Sequence, residues 1–223
     1  MKQFFELPIY FYSYVLAVFI VARLPYIGAF VRVFNTLVHE GAHALVAILT
    51  SGKIFKIELQ SNTSGSTLSA SKNKFCQFLI AISGYPLAAA SAYGLLYFLI
   101  NGFSSAVLIG IIIFTSILLL LFIRNTFGVI WSILFIGLIS FVLYLDNPKI
   151  IDFSVMTLAF ILATEALFST LMLLLIALES PSESGDAKIL SSITMLPAIF
   201  WAIVFVATNG IIVYQIVVNL LIT

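Results

Sequence analysis

Val38-His39-Glu40-Gly41-Ala42-His43-Ala44-Leu45-Val46-Ala47-Ile48-Leu49-Thr50 is an apolar stretch that carries three ionisable side chains, and its reading decides the fold. On a helix, residues four apart lie one turn apart on one face, so the imidazoles of His39 and His43 can converge on a single ion. Glu40 projects beside them, where it can take a proton from a water held at that ion. The chain's 2 histidines are both in this stretch. A pair of core histidines satisfied by hydrogen bonds is the plainer alternative, but ionisable groups embedded in hydrocarbon are costly and mark function.

Outward from this stretch the chain stays apolar. Of its 223 residues, 62% are hydrophobic and 9% charged, and the mean hydropathy is +1.21. That composition is far outside the range of a soluble domain and describes an all-α polytopic membrane protein without a soluble domain. A net charge of +1 excludes a strong electrostatic claim on nucleic acid and leaves the lipid bilayer and membrane-protein substrates as partners. The lone Cys76 cannot form an internal disulfide and is a weak metal candidate. Lys2 followed by an apolar run resembles a signal peptide. No A-x-A site follows, and the run continues to Arg23-Leu24-Pro25, which predicts a retained first helix.

Apolar spans fall at about 5–23, 26–50, 75–100, 105–123, 126–145, 154–178 and 190–221, giving six to seven transmembrane helices in a single domain over 1–223. The histidines lie on the helix at about 26–50. In the polar gap after it, Phe55, Ile57 and Leu59 alternate with Lys56, Glu58 and Gln60, the period of a strand. Ser61-Asn62-Thr63-Ser64-Gly65 supplies turn chemistry, so a β-hairpin is expected at the membrane surface over about 53–71. Its edge, with Phe55, Ile57 and Leu59, is the candidate substrate-binding strand: an added strand would bring extended backbone toward the ion. Lys53, Lys56, Lys72 and Lys74 place the hairpin, and with it the entrance to the metal site, in the cytoplasm by the positive-inside rule.

That topology bears on a third ligand. Four spans separate the hairpin from the gap at 179–191, so Asp186 in Ser182-Glu183-Ser184-Gly185-Asp186 returns to the side from which the histidines are about 10 Å deep. Asp146 and Asp152 belong to the opposite surface. Glu165, an acid near the middle of the sixth span, is the second candidate. Asp186 has a plainer reading too, as a cap of the last helix at about 190–221, and Glu165 as a neutral hydrogen-bonded acid between helices. A carboxylate suits the site, because two neutral imidazoles, one carboxylate and one hydroxide around Zn²⁺ sum to zero charge.

H-E-x-x-H on a helix is the zinc metallopeptidase pattern. At His39-Glu40-Gly41-Ala42-His43-Ala44, followed by Thr50-Ser51-Gly52 and the hairpin, the chain resembles the site-2 protease family of intramembrane zinc metallopeptidases. It is most similar to the short single-domain branch that lacks a PDZ domain. Ser83-Gly84-Tyr85-Pro86, Arg124-Asn125-Thr126-Phe127-Gly128 and Gly185-Asp186-Ala187 fit that branch as well. The resemblance implies cleavage of peptide bonds in or beside membrane segments, with His39, His43 and Asp186 as zinc ligands and Glu40 as base. The chain departs from the family's L-D-G signature; Leu145-Asp146-Asn147 is its near match, on the wrong side of the membrane. Two other functions fit parts of the pattern. One is a catalytically inactive membrane scaffold of the same fold, against which the intact Glu40 argues. The other is a metal-ion transporter, which needs a row of sites where the interior offers only Glu165.

Overall fold

The computed structural model describes residues 8–222; Lys2 and the start of the expected first helix lie outside them. Helix α1 spans Pro8–Arg23 and α2 Ile27–Leu49. Strands β1 (Lys53–Leu59) and β2 (Gly65–Ala70) follow. Then come α3 (Lys74–Ile100), α4 (Ser104–Leu121), α5 (Thr126–Tyr144), α6 (Pro148–Glu179), α7 (Gly185–Thr194) and α8 (Ala198–Ile216).

Among the described residues, α3, α4, α5, α6 and the stretch Ala198–Asn219 are long and apolar enough to cross a membrane, and α1 with α2 passes the same test as a bent pair. Among the described residues the candidate crossings therefore number five, or six with that pair as one broken span. The axes of α1 and α2 differ by 98°. Pro25 disfavours helical geometry at Leu24, and Tyr26 takes φ 63, so the chain turns where the sequence suggested two separate crossings. The closeness of the turn depends on Gly28, where a Cβ would stand 2.4 Å from the Ala22 carbonyl oxygen.

The segment expected at about 190–221 also begins earlier and breaks. α7 ends at Thr194, capped by Met195, which is left-handed at φ 62, and Pro197 then opens α8. A proline there cannot continue the helix and forbids helical geometry at Leu196. α6 starts six residues before the sequence estimate, because Asn147 accepts from the Lys149 amide at 3.0 Å and Pro148 suits the first turn. Asp152, expected in a loop, is thus helical and accepts from Ser104 Oγ at 2.5 Å.

Packing sets the site. α3 lies against α2, α6, α7 and α8, and Ala81, Gly84, Ala88 and Ala92 form its buried small-residue stripe. In a lipid environment, where helix burial itself brings little, small residues that let backbones approach are what hold such a bundle. Outward-facing Ile130, Ile133, Leu134 and Leu138 of α5 are exposed, the reverse of a soluble helix. A second apolar cluster seats α7: Ala187 and Leu190 pack with Ala81, Leu173, Trp201 and Phe205.

The hairpin forms as expected, antiparallel, with Ile57 opposite Thr67 and Leu59 opposite Gly65. It folds back along α2. Gly52 donates to the Ala47 carbonyl at 2.8 Å near its base, and Thr36 Oγ1 donates to the Thr63 carbonyl at 2.7 Å near its tip. Between Thr50 and Thr36 the helix rises about 21 Å, so the hairpin runs alongside the helix for much of its length.

Candidate metal centre

His39 and His43 stand where the helical spacing puts them, one turn apart on the face of α2 that meets α3 and α7. Their Nε2 atoms are 3.0 Å apart. Asp186, in the first turn of α7, brings Oδ2 to 3.2 Å from both. The segment before it supplies the reach: after α6 a 3₁₀ turn at Pro181–Glu183 leads to buried Ser184, whose Oγ donates to the Pro181 carbonyl at 2.7 Å. Gly185 then adopts φ +47, a left-handed conformation natural to glycine. Ser184, at the N-cap of α7, makes no side-chain cap hydrogen bond, and Asp186 lies in the first turn.

The donor set suits a divalent ion. His43 Nδ1 lies 2.7 Å from the Ile80 carbonyl oxygen, which can only accept, so Nδ1 carries a proton and the neutral ring presents its lone pair at Nε2. An anionic carboxylate oxygen and a neutral imidazole's lone pair at 3.2 Å repel unless a proton or a metal cation lies between them. A tetrahedral zinc with bonds near 2.05 Å would set its ligand atoms about 3.3 Å apart, close to the 3.0–3.2 Å separations here. The backbone hydrogen bond on His43 is also the kind of outer contact that orients a metal-binding imidazole.

One glycine makes the cluster fit. At Gly84 a Cβ would stand 2.4 Å from His39 Cε1 and 2.7 Å from both His39 Nε2 and His43 Cε1, so α3 passes the imidazoles at bare-backbone distance. At Gly41, between the ligands, a Cβ would meet the Phe114 side chain of α4, with Cζ at 2.4 Å. Tyr85 sets its ring edge against His39, with centroids 4.5 Å apart.

Glu40 is buried and its Oε2 accepts from Thr67 Oγ1 at 2.7 Å. Thr67 was not singled out from sequence; the available signal was its place on the second strand, two residues past the turn glycine. His39, Glu40, His43, Tyr85, Asp186 and residues 63–69 line a cavity of about 510 Å³, within the size range of ligand sites.

The other sequence candidates lie elsewhere. Glu165 pairs with Arg23, whose guanidinium stacks on Phe168 at 4.1 Å; its charge is satisfied by α1, and it is not in the His39–His43–Asp186 group. Asp146 follows α5 at the end away from the hairpin, about 28 Å of helix from Thr126.

The candidate substrate strand also changes. Ile57 and Leu59 are fully buried while Phe55 is 57% exposed. The outer edge of β1 is already taken: Ile57 N–H donates to the Phe122 carbonyl at 2.8 Å, Arg124 N–H donates to the Ile57 carbonyl at 3.2 Å, and the Asn125 side chain bonds both backbone groups of Leu59. Of the expected substrate edge at Phe55, Ile57 and Leu59, the Arg124-Asn125 motif therefore covers the part at Ile57 and Leu59. In an antiparallel pair, residues opposite such outward-turned positions also point outward. Thr67 and Gly65, opposite Ile57 and Leu59, thus turn their N–H and C=O away from β1, and the free edge belongs to β2.

Apolar spans packed round two histidines and a carboxylate define the class, an integral membrane protein with a candidate metal centre. The chain belongs to the Peptidase M50B-like family, whose model matches residues 11–216. That family agrees with the resemblance of His39-Glu40-Gly41-Ala42-His43 to the site-2 proteases. No curated protein and no solved structure matches the chain significantly.

Proposed function

We propose that this chain is an intramembrane zinc endopeptidase that cleaves peptide bonds in or near transmembrane segments. The observation that carries the reading is the convergence of His39 Nε2, His43 Nε2 and Asp186 Oδ2, with Glu40 lining the same cavity. Those three atoms would hold the ion, and a zinc ion there supplies Lewis acidity, polarising the scissile carbonyl and making a water acidic enough to ionise near neutral pH. Glu40 takes the proton of the attacking water and delivers it to the departing amide nitrogen. The Thr67 hydroxyl keeps the Glu40 carboxylate turned to that task. His43 is held in the tautomer that leaves Nε2 free by its Nδ1–H bond to Ile80.

A helical peptide bond is poorly accessible, so the substrate is taken to unwind and lie along the free edge of β2, where Gly65 and Thr67 offer backbone groups. The lysines at the hairpin base support an entrance on the cytoplasmic side. Zinc analysis and hydrolysis of a membrane-segment substrate by Glu40→Gln test the reading. Retained zinc with turnover lowered about 10²- to 10⁴-fold is expected. Turnover that does not depend on Glu40 would sink the mechanism, and zinc without any turnover in the wild type would favour the scaffold.

A further inference from the structure

Asn35 lies one helical turn before His39, on the ligand-bearing face of α2, and lines the same cavity. Its Oδ1 is buried and has no hydrogen-bond partner among the described residues. Its neighbours on the helix are all engaged: Thr36 with Thr63, Glu40 with Thr67, His43 with Ile80. Nearly all buried polar atoms in folded proteins are paired, and an unpaired one weakens the fold. One carboxamide acceptor beside the metal site is therefore left unused by the described residues.

The position indicates what would use it. Along the free edge of β2, Thr67 lies beside Glu40, and Gly65 lies where a Cβ would meet both Thr36 and Glu40. β2 begins at Gly65, so an extended chain that follows its edge past the metal runs out of strand at the level of Thr36, beside Asn35. A carboxamide offers an acceptor and two donors, the match for the N–H and C=O of a peptide backbone whatever its side chains.

We propose that the Asn35 carboxamide binds the backbone of an extended peptide substrate one helical turn from the metal, continuing the hydrogen-bond row that β2 begins. The proposal rests on the metallopeptidase reading. It also makes Asn35 a group whose removal leaves the fold intact, since an apolar side chain of similar shape there relieves an unsatisfied atom.

The test uses the full chain in detergent micelles with zinc, as wild type, Asn35→Leu and Asn35→Ala. Two probes are titrated: acetohydroxamic acid, which engages the metal alone, and a peptidyl hydroxamate, which adds backbone amides. The variants are expected to keep their zinc and to bind acetohydroxamic acid as the wild type does. They should lose roughly tenfold in affinity for the peptidyl hydroxamate per hydrogen bond, and Asn35→Leu should melt at or above the wild-type temperature. Equal affinity of all three proteins for the peptidyl hydroxamate overturns the proposal. So does loss of zinc or a lowered melting temperature in both variants, which would mark Asn35 as structural. If the wild type binds zinc and neither hydroxamate, or no zinc at all, the metallopeptidase reading itself fails and this proposal with it.

Discussion

Replacing Gly84 with alanine probes the metal centre without touching a ligand. The new Cβ would stand 2.4 Å from His39 Cε1 and 2.7 Å from His39 Nε2 and His43 Cε1. Carbon atoms rest about 3.5–4.0 Å apart, so something must move by about 1 Å. α3 is held between α2, α6 and α8, which leaves the imidazoles to give way, and 1 Å is about half a zinc–nitrogen bond. Misplacement on that scale costs roughly 10²-fold in turnover, and zinc affinity should fall by about 10- to 100-fold, as when an orienting contact is lost. The fold should survive, because overpacking at about 1–3 kcal/mol is partly offset by the roughly 1 kcal/mol that alanine gains over glycine in a helix. Gly94→Ala on the same helix is the control, since a Cβ there meets nothing within 4 Å. Zinc retained against graded chelator, helical circular dichroism and peptide hydrolysis are measured on both variants. Wild-type zinc affinity and turnover in Gly84→Ala would refute the claim that bare backbone at this point is what lets the cluster form.

Asp186→Ala should lose bound zinc together with activity, while Glu165→Ala keeps zinc and melts at a lower temperature, because the half-buried Arg23 then loses its partner; the opposite pattern of metal content would make Glu165 the third ligand. Thr67→Val preserves shape and removes one hydrogen bond to a charged carboxylate, worth about 1.5–3 kcal/mol, so turnover should fall about tenfold to a hundredfold with zinc unchanged, and wild-type rates would show that Glu40 needs no such support. Asn125→Leu should release the outer edge of β1 and raise hydrogen exchange at Leu59, where unchanged protection would contradict the clamp.

Helix by helix, the sequence by itself determined a great deal, because periodicity and hydropathy are properties of neighbouring residues. The spacing of His39 and His43 set their shared face, and the alternation from Phe55 to Leu59 with the turn at 61–65 set the hairpin. The four spans between the hairpin and Asp186 set the side to which that carboxylate returns. What remained concerns contacts between elements far apart in the chain, which no local period encodes. That Glu165 is matched by Arg23, 142 residues away, follows only from α1 packing on α6. That the open edge is β2 follows from residues 122–125 covering β1. The sharp turn of α1 against α2 was written in Pro25 only as a break; its 98° angle came from how closely Gly28 lets the two backbones meet. Gly84 could be read as a kink or as a gap, and only the imidazoles packed against it decide for the gap, since the absence of a side chain acquires meaning from what fills its place.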